Sequence, residues 1–349
     1  MIKRDVLIIG GGASGLACAI EVLKAGLTAT IIEKNSRLGG VLALQALPFY
    51  GIASHYAMER GEGIVNRMVE EMMTYKDQVD IITSSEAIAI NENRTVIVKQ
   101  GQKRMVFQGQ AVVLASGVIE DERTIKNHQL SGVYTCLEMQ KRLMEKISDS
   151  RKKVVIVGTD QHALTVAFQM QQAHYEIEAI LEEESSIQGY VVQASKLSKL
   201  GCTFLTHTKV KRVEEDGQLI KLVCVDVDEK GQEGRAFDIA CELVVISPAY
   251  LPREHLLSSD VFKKEKRENY TSIVKLNQHY ETSVHGIYVC GDVAGMDGVS
   301  TAFIKGQLCG IAIAKQHGCE SAEQCQSEVS LNRLLNIIKQ ARKDNNYHV

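Results

Sequence analysis

The segment DVLIIGGGASGLACAIEVLKAGLTATIIEKNSRLGG, residues 5–40, decides the fold of this chain. Its first part, residues 6–9, is a short run of branched apolar residues, which predicts a buried strand rather than a helix. Glycines follow in G-x-G-x-x-G spacing at Gly10, Gly12 and Gly15, and a helix and a second apolar strand come after them. The segment therefore predicts a strand, a glycine turn, a helix and a parallel strand.

Each glycine has a different task in such a turn. Gly10 would make the tight turn, Gly12 would let the backbone approach a pyrophosphate, and Gly15 would let the helix pack on the strand. The start of the helix offers N–H groups and a positive dipole end to phosphates. Glu33 ends the second strand, 18 residues after Gly15 (33 − 15), where a carboxylate can bind a ribose. We therefore predict a dinucleotide site rather than an ordinary glycine turn.

Length, charge and cysteine content limit the classes of function. The chain has 349 residues, which favours two domains, and its formal net charge of −3 gives no indication of a nucleic acid or an anionic membrane as partner. Its nine cysteines form no C-x-x-C pair, which is typical of free thiols in the cytoplasm. The sequence has no run that is long and apolar enough to cross a bilayer, and we predict no metal site.

The opening pattern returns later in the chain. VVIVGTDQHALTVAFQMQQAHYEIEAILEEE, residues 154–184, again predicts a strand, a turn, a helix and a strand. In both copies short alternating strands follow, such as residues 104–107, and then a separate closing strand, at residues 111–117 or 242–252. The repeat predicts an α/β protein with two doubly wound, Rossmann-like domains.

A third segment resembles neither copy. A strand at residues 287–290 leads into Gly291 and Asp292, and a helix follows from about Val299. One face of this helix carries small residues every four positions, at Ala302, Gly306 and Gly310. The amphipathic tail after Gln316 is expected either to dock on its own chain or to form a subunit contact.

In this order, the first fingerprint, the Ala115-Ser116-Gly117 strand end and the Gly291-Asp292 pair resemble a known family. It is the two-domain FAD-dependent oxidoreductases of the pyridine nucleotide–disulphide oxidoreductase superfamily, of thioredoxin reductase size. The resemblance covers residues 5–315 and implies that the first fingerprint holds FAD. The implied FAD-binding residues are Gly10, Gly12, Gly15, Glu33, Lys34, Gly40, Ala115, Gly117, Gly291, Asp292, Ser300 and Thr301.

The resemblance also implies roles and boundaries. Asp292 would hydrogen-bond the ribityl chain, and the helix from Val299 would point its N-terminus at the flavin. A discontinuous FAD domain would comprise residues 1–117 and 265–316. An NAD(P)-binding-like domain would be inserted at residues 118–264, and residues 317–349 would form a helical tail.

The second fingerprint departs from the family pattern. Its positions are Gly158, Asp160 and Ala163, so an aspartate stands where a glycine would admit a pyrophosphate. At about 5 Å and an effective dielectric of about 20, each phosphate charge would cost about 3 kcal/mol. A protonated His162 would offset part of this repulsion. Glu182 at the end of the second strand favours NADH over NADPH, and the sequence leaves open whether any nicotinamide cofactor binds.

The redox cysteines of the family are also missing. Cys136 lies where the thioredoxin reductase branch carries a pair, but Met139 stands in the partner position, and no cysteine follows the Gly39-Gly40 turn. Thiol–disulphide chemistry is therefore not expected. A narrower resemblance, carried by GVYTCLEMQKRL at residues 132–143, links the chain to flavoprotein subunits of bacterial amino-acid and opine dehydrogenases. These subunits tolerate a degenerate second fingerprint and pass electrons to a partner.

The sequence thus favours an FAD-dependent oxidoreductase that transfers hydride between a small substrate, or NADH, and the flavin. The expected partners are a small molecule or an electron-acceptor protein, in a homo- or hetero-oligomer. The alternative is a non-catalytic or electron-transferring subunit whose NAD(P) site is lost, and an NAD enzyme without flavin would leave Gly291-Asp292 unexplained. Residues 41–51 and 297–301 are expected near the flavin ring, and no general base is assigned. The polar candidates there are Gln45, Tyr50 and His55.

Overall fold

The structure is a computed structural model, and it divides into two compact units. The first unit contains Met1–Ile119 and Leu251–Ala341, and the second contains Glu120–Tyr250. This confirms an α/β fold with one doubly wound unit inserted into the other. The residues that the structure describes are 2–48, 56–121, 125–145, 151–267 and 270–344.

Strands and helices alternate at the start of each unit, and runs of consecutive strands follow. The described strands are β1 (Ile2–Ile9), β2 (Ala29–Ile32), β3 (Val79–Ile82), β4 (Glu86–Ile90), β5 (Thr95–Gln100), β6 (Lys103–Leu114), β7 (Val118–Asp121), β8 (Val133–Thr135), β9 (Lys153–Val157), β10 (Glu176–Leu181), β11 (Phe204–Leu205), β12 (Thr208–Asp216), β13 (Leu219–Val227), β14 (Glu233–Cys241), β15 (Leu243–Ile246), β16 (Ala249–Pro252), β17 (Lys264–Arg267), β18 (Tyr270–Val274) and β19 (Ile287–Val289). The described α-helices are α1 (Ala13–Lys24), α2 (Gly61–Met73), α3 (Cys136–Met144), α4 (Gln161–Gln172), α5 (Val191–Lys199), α6 (Gly298–Gln316) and α7 (Ala322–Asp344).

The main sheet of the first unit has the order β3-β2-β1-β6-β5-β4, and β19 also pairs with β6. Strands β1, β2, β3, β6 and β19 run parallel, whereas β5 pairs antiparallel with both β6 and β4. The prediction of two separate strands at residues 104–107 and 111–117 is wrong, because β6 is continuous. The first half of β6 pairs with β5, and its second half pairs with β1 and β19. At Gly109 a Cβ atom would lie 2.5 Å from the Ala111 carbonyl oxygen, so only glycine fits between the halves.

Helices α1 and α6 pack against each other on this sheet at very short range. A Cβ atom on Gly306 would overlap the backbone of Ser14, and one on Gly310 would lie 2.7 Å from the Cys18 carbonyl oxygen. The small residues predicted on one face of α6 are therefore the ones that let the two helices approach. This packing sets the middle of α6, at Gly306, beside the start of α1 at Ser14.

The chain returns to the first unit at Leu251, whereas the sequence placed that boundary at residue 265. Leu257 and Phe262 are buried in the core of the first sheet, so the segment that carries them belongs with this unit. The tail helix α7 docks on the same chain, since Leu331 and Leu335 pack against α6.

The second unit has a five-stranded sheet of order β11-β10-β9-β15-β8, parallel in every described pairing. Helices α3, α4 and α5 pack on one face. On the other face lies the antiparallel sheet β12-β13-β14, whose apolar side joins the second core. The carboxyl ends of the parallel strands meet at one edge, which is where doubly wound folds bind ligands.

Candidate functional site

The first glycine turn has no room for side chains at two positions. Gly10 has a φ of +107°, and a Cβ atom there would overlap the carbonyl oxygen of Ala115. A Cβ atom on Gly15 would overlap the carbonyl oxygen of Gly10. At Gly12, in contrast, no atom of the described residues lies within 4 Å of where a Cβ atom would stand. The space next to Gly12 is therefore open.

Gly12 is also the residue that precedes α1. Within the described part of the chain, no side chain caps this helix N-terminus. The first N–H groups of a helix have no partner inside the helix, and they carry its positive dipole end. This open, uncapped N-terminus is suited to a phosphate anion.

Glu33 and the Gly39-Gly40 turn are brought to the same place. Glu33 is buried, and its Oε2 atom accepts the N–H of Gly11 at 2.8 Å. Gly39 donates its N–H to the Gly11 carbonyl oxygen at 2.7 Å, and a Cβ atom on Gly40 would lie 3.2 Å from the Cα atom of Gly12. The chain therefore crosses the fingerprint turn at this point.

The other predicted residues of the β-strand ends differ in their surroundings. Lys34 is exposed, and its ammonium group lies 3.0 Å from a carboxylate oxygen of Glu86, so it forms a surface ion pair. Ala115 is buried against the glycine turn, and Gly117 has a φ of +68°. Ala115 therefore lies against the glycine turn, whereas Lys34 is paired with Glu86 on the surface.

The third segment reaches the same helix start. A Cβ atom on Gly291 would overlap the hydroxyl of Ser14, which lies on the first turn of α1. Thr301, on the first turn of α6, is 0% exposed, and its hydroxyl has no hydrogen-bond partner among the described residues. Ser300 is partly exposed, as is Asp292. The orphaned Thr301 hydroxyl and the open space at Gly12 both fit a bound dinucleotide.

Lys305 is a site residue that the sequence interpretation missed. It is 6% exposed, and its ammonium group donates to the Gly295 carbonyl oxygen at 2.8 Å and pairs with Asp297. A lysine among apolar and small residues of a helix is a signal that could have revealed it. Lys305 fixes the loop in front of α6.

Of the predicted polar candidates, Gln45 follows a short helical turn at Gly40–Leu44, and Tyr50 and His55 lie outside the described residues.

The second glycine turn repeats the first in its backbone. Gly158 has a φ of +105°, and its N–H donates to the Leu181 carbonyl oxygen at 2.8 Å. Glu182 is buried and accepts the N–H of Thr159 at 3.1 Å, as Glu33 accepts that of Gly11. Ala163 is buried at the position of Gly15. The fold of the fingerprint is therefore intact in the second unit.

Asp160 makes the difference between the two turns. Its side chain caps α4: one carboxylate oxygen accepts the N–H groups of His162 at 2.8 Å and Ala163 at 2.9 Å. The other oxygen accepts the hydroxyl of Ser247 at 2.5 Å. The N–H groups that would bind a pyrophosphate are therefore bound to a carboxylate of the protein itself.

His162 does not supply the positive charge that the sequence suggested. Its Nε2 atom lies 2.7 Å from the Oε1 atom of Gln140, and its Nδ1 atom contacts the hydroxyl of Tyr250. Burial lowers the pKa of His162, and the nearby Asp160 carboxylate opposes this shift less strongly. The imidazole therefore favours its neutral form.

Residues 188–190 also cover the second turn, a contact for which the sequence carries no signal. Gln188 donates its N–H to the Thr159 hydroxyl at 3.0 Å, and Gly189 donates to the Thr159 carbonyl oxygen at 2.8 Å. Tyr190 donates its N–H to the side chain of Gln161 at 3.1 Å. A Cβ atom on Gly189 would lie 2.9 Å from the Thr159 carbonyl oxygen, so the segment rests directly on the turn.

Seven of the nine cysteines are buried, and Cys319 and Cys325 are exposed. Cys18, Cys290 and Cys309 are buried together in the first unit, and Cys136 is buried in the second. Burial raises the pKa of the Cys136 thiol well above its usual range, which disfavours a reactive thiolate. In the part of the chain that the structure describes, no helix could span a membrane.

Comparisons with known proteins agree with this architecture. The chain is 22% identical over 343 residues to the hydrogen cyanide synthase subunit HcnB of Pseudomonas protegens, covering 92% of this chain and 72% of that protein. The fold is similar to thioredoxin reductase of T. acidophilum, with a TM-score of 0.74, 17% identity, and coverage of 91% and 99% of the two chains. It is also similar to L-proline dehydrogenase from P. horikoshii, with a TM-score of 0.68, 21% identity, and coverage of 95% of this chain and 59% of that one.

The family assignment rests on a match along most of the chain. The sequence profile of the pyridine nucleotide-disulphide oxidoreductases matches residues 4–325, which include both fingerprints and the Gly291-Asp292 pair. The chain therefore belongs to the pyridine nucleotide-disulphide oxidoreductase family of FAD-dependent oxidoreductases.

Proposed function

We propose that this protein binds FAD in its first unit and oxidises a small substrate without a redox-active cysteine pair. The observation that carries the proposal is the open, uncapped start of α1 beside Gly12. An anion fits there because N–H donors and the positive end of the helix dipole are available. Bound FAD would supply hydride-accepting chemistry, which amino-acid side chains alone do not provide.

The residues of the first unit would bind and orient this group. The N–H groups at the start of α1 would hold the pyrophosphate, Glu33 would hold the ribose, and Asp292 would hold the ribityl chain. The buried Thr301 hydroxyl would gain the partner that it lacks within the described chain. Lys305 would keep the loop before α6 in place, so that the helix N-terminus stabilises negative charge on the ring.

Electrons would leave by a route other than a protein disulphide. Cys136 has Met139 in the partner position, both are buried, and burial disfavours the thiolate of Cys136. An external acceptor would therefore reoxidise the flavin. The nine free cysteines also support the cytoplasmic location that the sequence predicts.

A second candidate is an electron-transferring flavoprotein subunit of a hetero-oligomeric dehydrogenase for amino-acid-type substrates. It is supported by the similarity to HcnB, which is itself named a subunit, over 92% of this chain. HcnB extends beyond the matched region, so its activity does not transfer as a whole. The two candidates differ in whether the isolated chain turns over a substrate with a small-molecule acceptor.

The test begins with the flavin content of the purified protein. After denaturation, the released flavin is identified by chromatography, and protein that lacks it is titrated with FAD. We expect about one FAD per chain, because the first unit has a single such fingerprint. The absence of both bound flavin and FAD binding would contradict the proposal. Oxygen-free mixing with small amino acids, followed by flavin absorbance, then tests the substrate class.

A further inference from the structure

We infer that the second unit has closed its dinucleotide site with its own chain, so that it does not bind NAD(H) or NADP(H). Family members are pyridine-nucleotide enzymes, but the residues of this unit do not fit that cofactor. The second unit is closed whether or not the first unit binds FAD.

The N–H donors at the start of α4 are already occupied. In a Rossmann fold the pyrophosphate accepts hydrogen bonds from the start of the helix that follows the first strand. Here the N–H groups of His162 and Ala163 already donate to the Asp160 carboxylate at 2.8 and 2.9 Å. The Asp160 carboxylate is an anion and lies where the pyrophosphate would lie. It therefore accepts the hydrogen bonds that the pyrophosphate would accept.

Backbone geometry does not explain the difference between the units. Gly12 precedes α1 with φ and ψ of −80° and −172°, and Asp160 precedes α4 with −64° and 172°. The two residues have nearly the same conformation, so the side chain of Asp160 enters the space that stays open next to Gly12. A single side chain thus separates the open site from the closed one.

Residues 188–190 rest directly on the second turn and hold it in place. Their three N–H groups donate to Thr159 and to the side chain of Gln161, and the Gln161 amide in turn contacts Gln193. Gly189 is the point of closest approach, where even a methyl group would collide with the turn. The first turn carries the same kind of contact, since Gly39 donates its N–H to the Gly11 carbonyl oxygen at 2.7 Å. Residues 188–190 therefore hold the turn in place, and the Asp160 side chain is what closes it.

The closed state is internally satisfied. Both carboxylate oxygens of Asp160 accept hydrogen bonds, one from the helix and one from Ser247. In the first unit, by contrast, the Thr301 hydroxyl is buried without a partner among the described residues. A nucleotide would have to displace bonds that already exist in the second unit, whereas it would supply a missing bond in the first.

The experiment measures binding directly, by isothermal titration calorimetry of the full chain with NADH and NADPH. FAD is kept saturating, so that the first fingerprint does not contribute. We expect the wild-type chain to show no binding with a Kd below about 1 mM. A wild-type Kd tighter than this for either nucleotide would overturn the inference, even if no variant folds.

The matched variant carries Thr159→Gly together with Asp160→Gly, which gives the second turn the three consecutive glycines of Gly10–Gly12. It removes the cap and also the hydroxyl that holds Gln188. We expect it to bind NADH at least about tenfold more tightly than the wild type. A folded double variant without any gain would show that these residues do not close the site, and would overturn the inference.

A second variant distinguishes occupation of the α4 N–H groups from repulsion by the Asp160 charge. Asn caps helices as well as Asp does, so Asp160→Asn should keep the N–H groups of α4 occupied and should not bind NADH. Repulsion by the charge alone predicts the opposite, namely a gain in binding by Asp160→Asn. Such a gain would contradict the proposed mechanism of closure. Thermal unfolding of each variant confirms that the second unit is folded during the titrations.

Discussion

The two glycine turns of this protein have the same backbone and opposite properties. Their first glycines have φ angles of +107° and +105°, and each turn donates an N–H to a buried glutamate, Glu33 or Glu182. They differ at Gly12 and Asp160, where one helix start is open and the other is capped. The comparison teaches that the fold of a dinucleotide site and its capacity to bind are determined by different atoms.

The physical basis is that every helix start needs acceptors for its first N–H groups. A ligand can supply them, as expected at α1, or a side chain can, as Asp160 does at α4. A capping side chain contributes about 1 kcal/mol to stability and is always present. A unit that caps its own helix therefore no longer depends on a ligand to complete that helix.

The largest expected effect comes from making the first turn resemble the second. In Gly12→Asp the new carboxylate should accept the N–H groups of Ser14 and Gly15, as Asp160 accepts those of His162 and Ala163. We expect the affinity for FAD to fall by at least about 100-fold, equivalent to about 2.7 kcal/mol. The measurement is a titration of the flavin-free protein with FAD, followed by flavin fluorescence.

The control for this change is Gly12→Ala. A methyl group enters open space at this position, so the protein should fold and should lose less affinity than with the carboxylate. Full flavin loading of Gly12→Asp would show that the two helix starts are not equivalent, and the comparison would fail.

An intermediate effect is expected at the third position of the fingerprint, where the units carry Gly15 and Ala163. A methyl group on Gly15 would overlap the carbonyl oxygen of Gly10, so Gly15→Ala should destabilise the protein by about 1–3 kcal/mol. The reverse change, Ala163→Gly, should cost only about 0.5–1 kcal/mol, because it mainly adds backbone entropy to the unfolded chain. Urea unfolding measures both, and equal losses would mean that the two turns are packed alike.

The smallest effect is a pH dependence in the second unit. Burial lowers the pKa of His162 below its ordinary value of 6.5, so the unfolded chain takes up a proton at a pH where the folded chain does not. Stability should therefore decrease as the pH falls below about 6.5, by at most about 1 kcal/mol down to about pH 5.5. His162→Gln should lack this part of the slope, measured by urea unfolding across that range. Identical slopes would indicate that His162 titrates alike in both states.

Much of the fold could be predicted because its signals are local. The glycine spacing, the apolar runs and the repeat of the pattern all lie within short windows, and they predicted both βαβ units correctly. The continuity of β6 through Gly109 was missed because an isolated glycine in a strand pattern indicates a bulge or a close backbone approach rather than a regular strand. The return of the chain at Leu251 was missed because burial of Leu257 and Phe262 depends on partners that are distant in sequence.

The sequence alone determined that this chain has two dinucleotide folds, that the first is intact and that Asp160 alters the second. The sequence was sufficient because glycine is required at such a turn for steric reasons, and the spacing of the neighbouring residues shows where the turn lies. Only the tertiary structure decided what Asp160 does. Its carboxylate caps α4 instead of merely repelling a phosphate, residues 188–190 cover the turn, and Lys305 holds the loop before α6. These contacts join segments that are separate in the chain, so their geometry follows from packing and not from spacing.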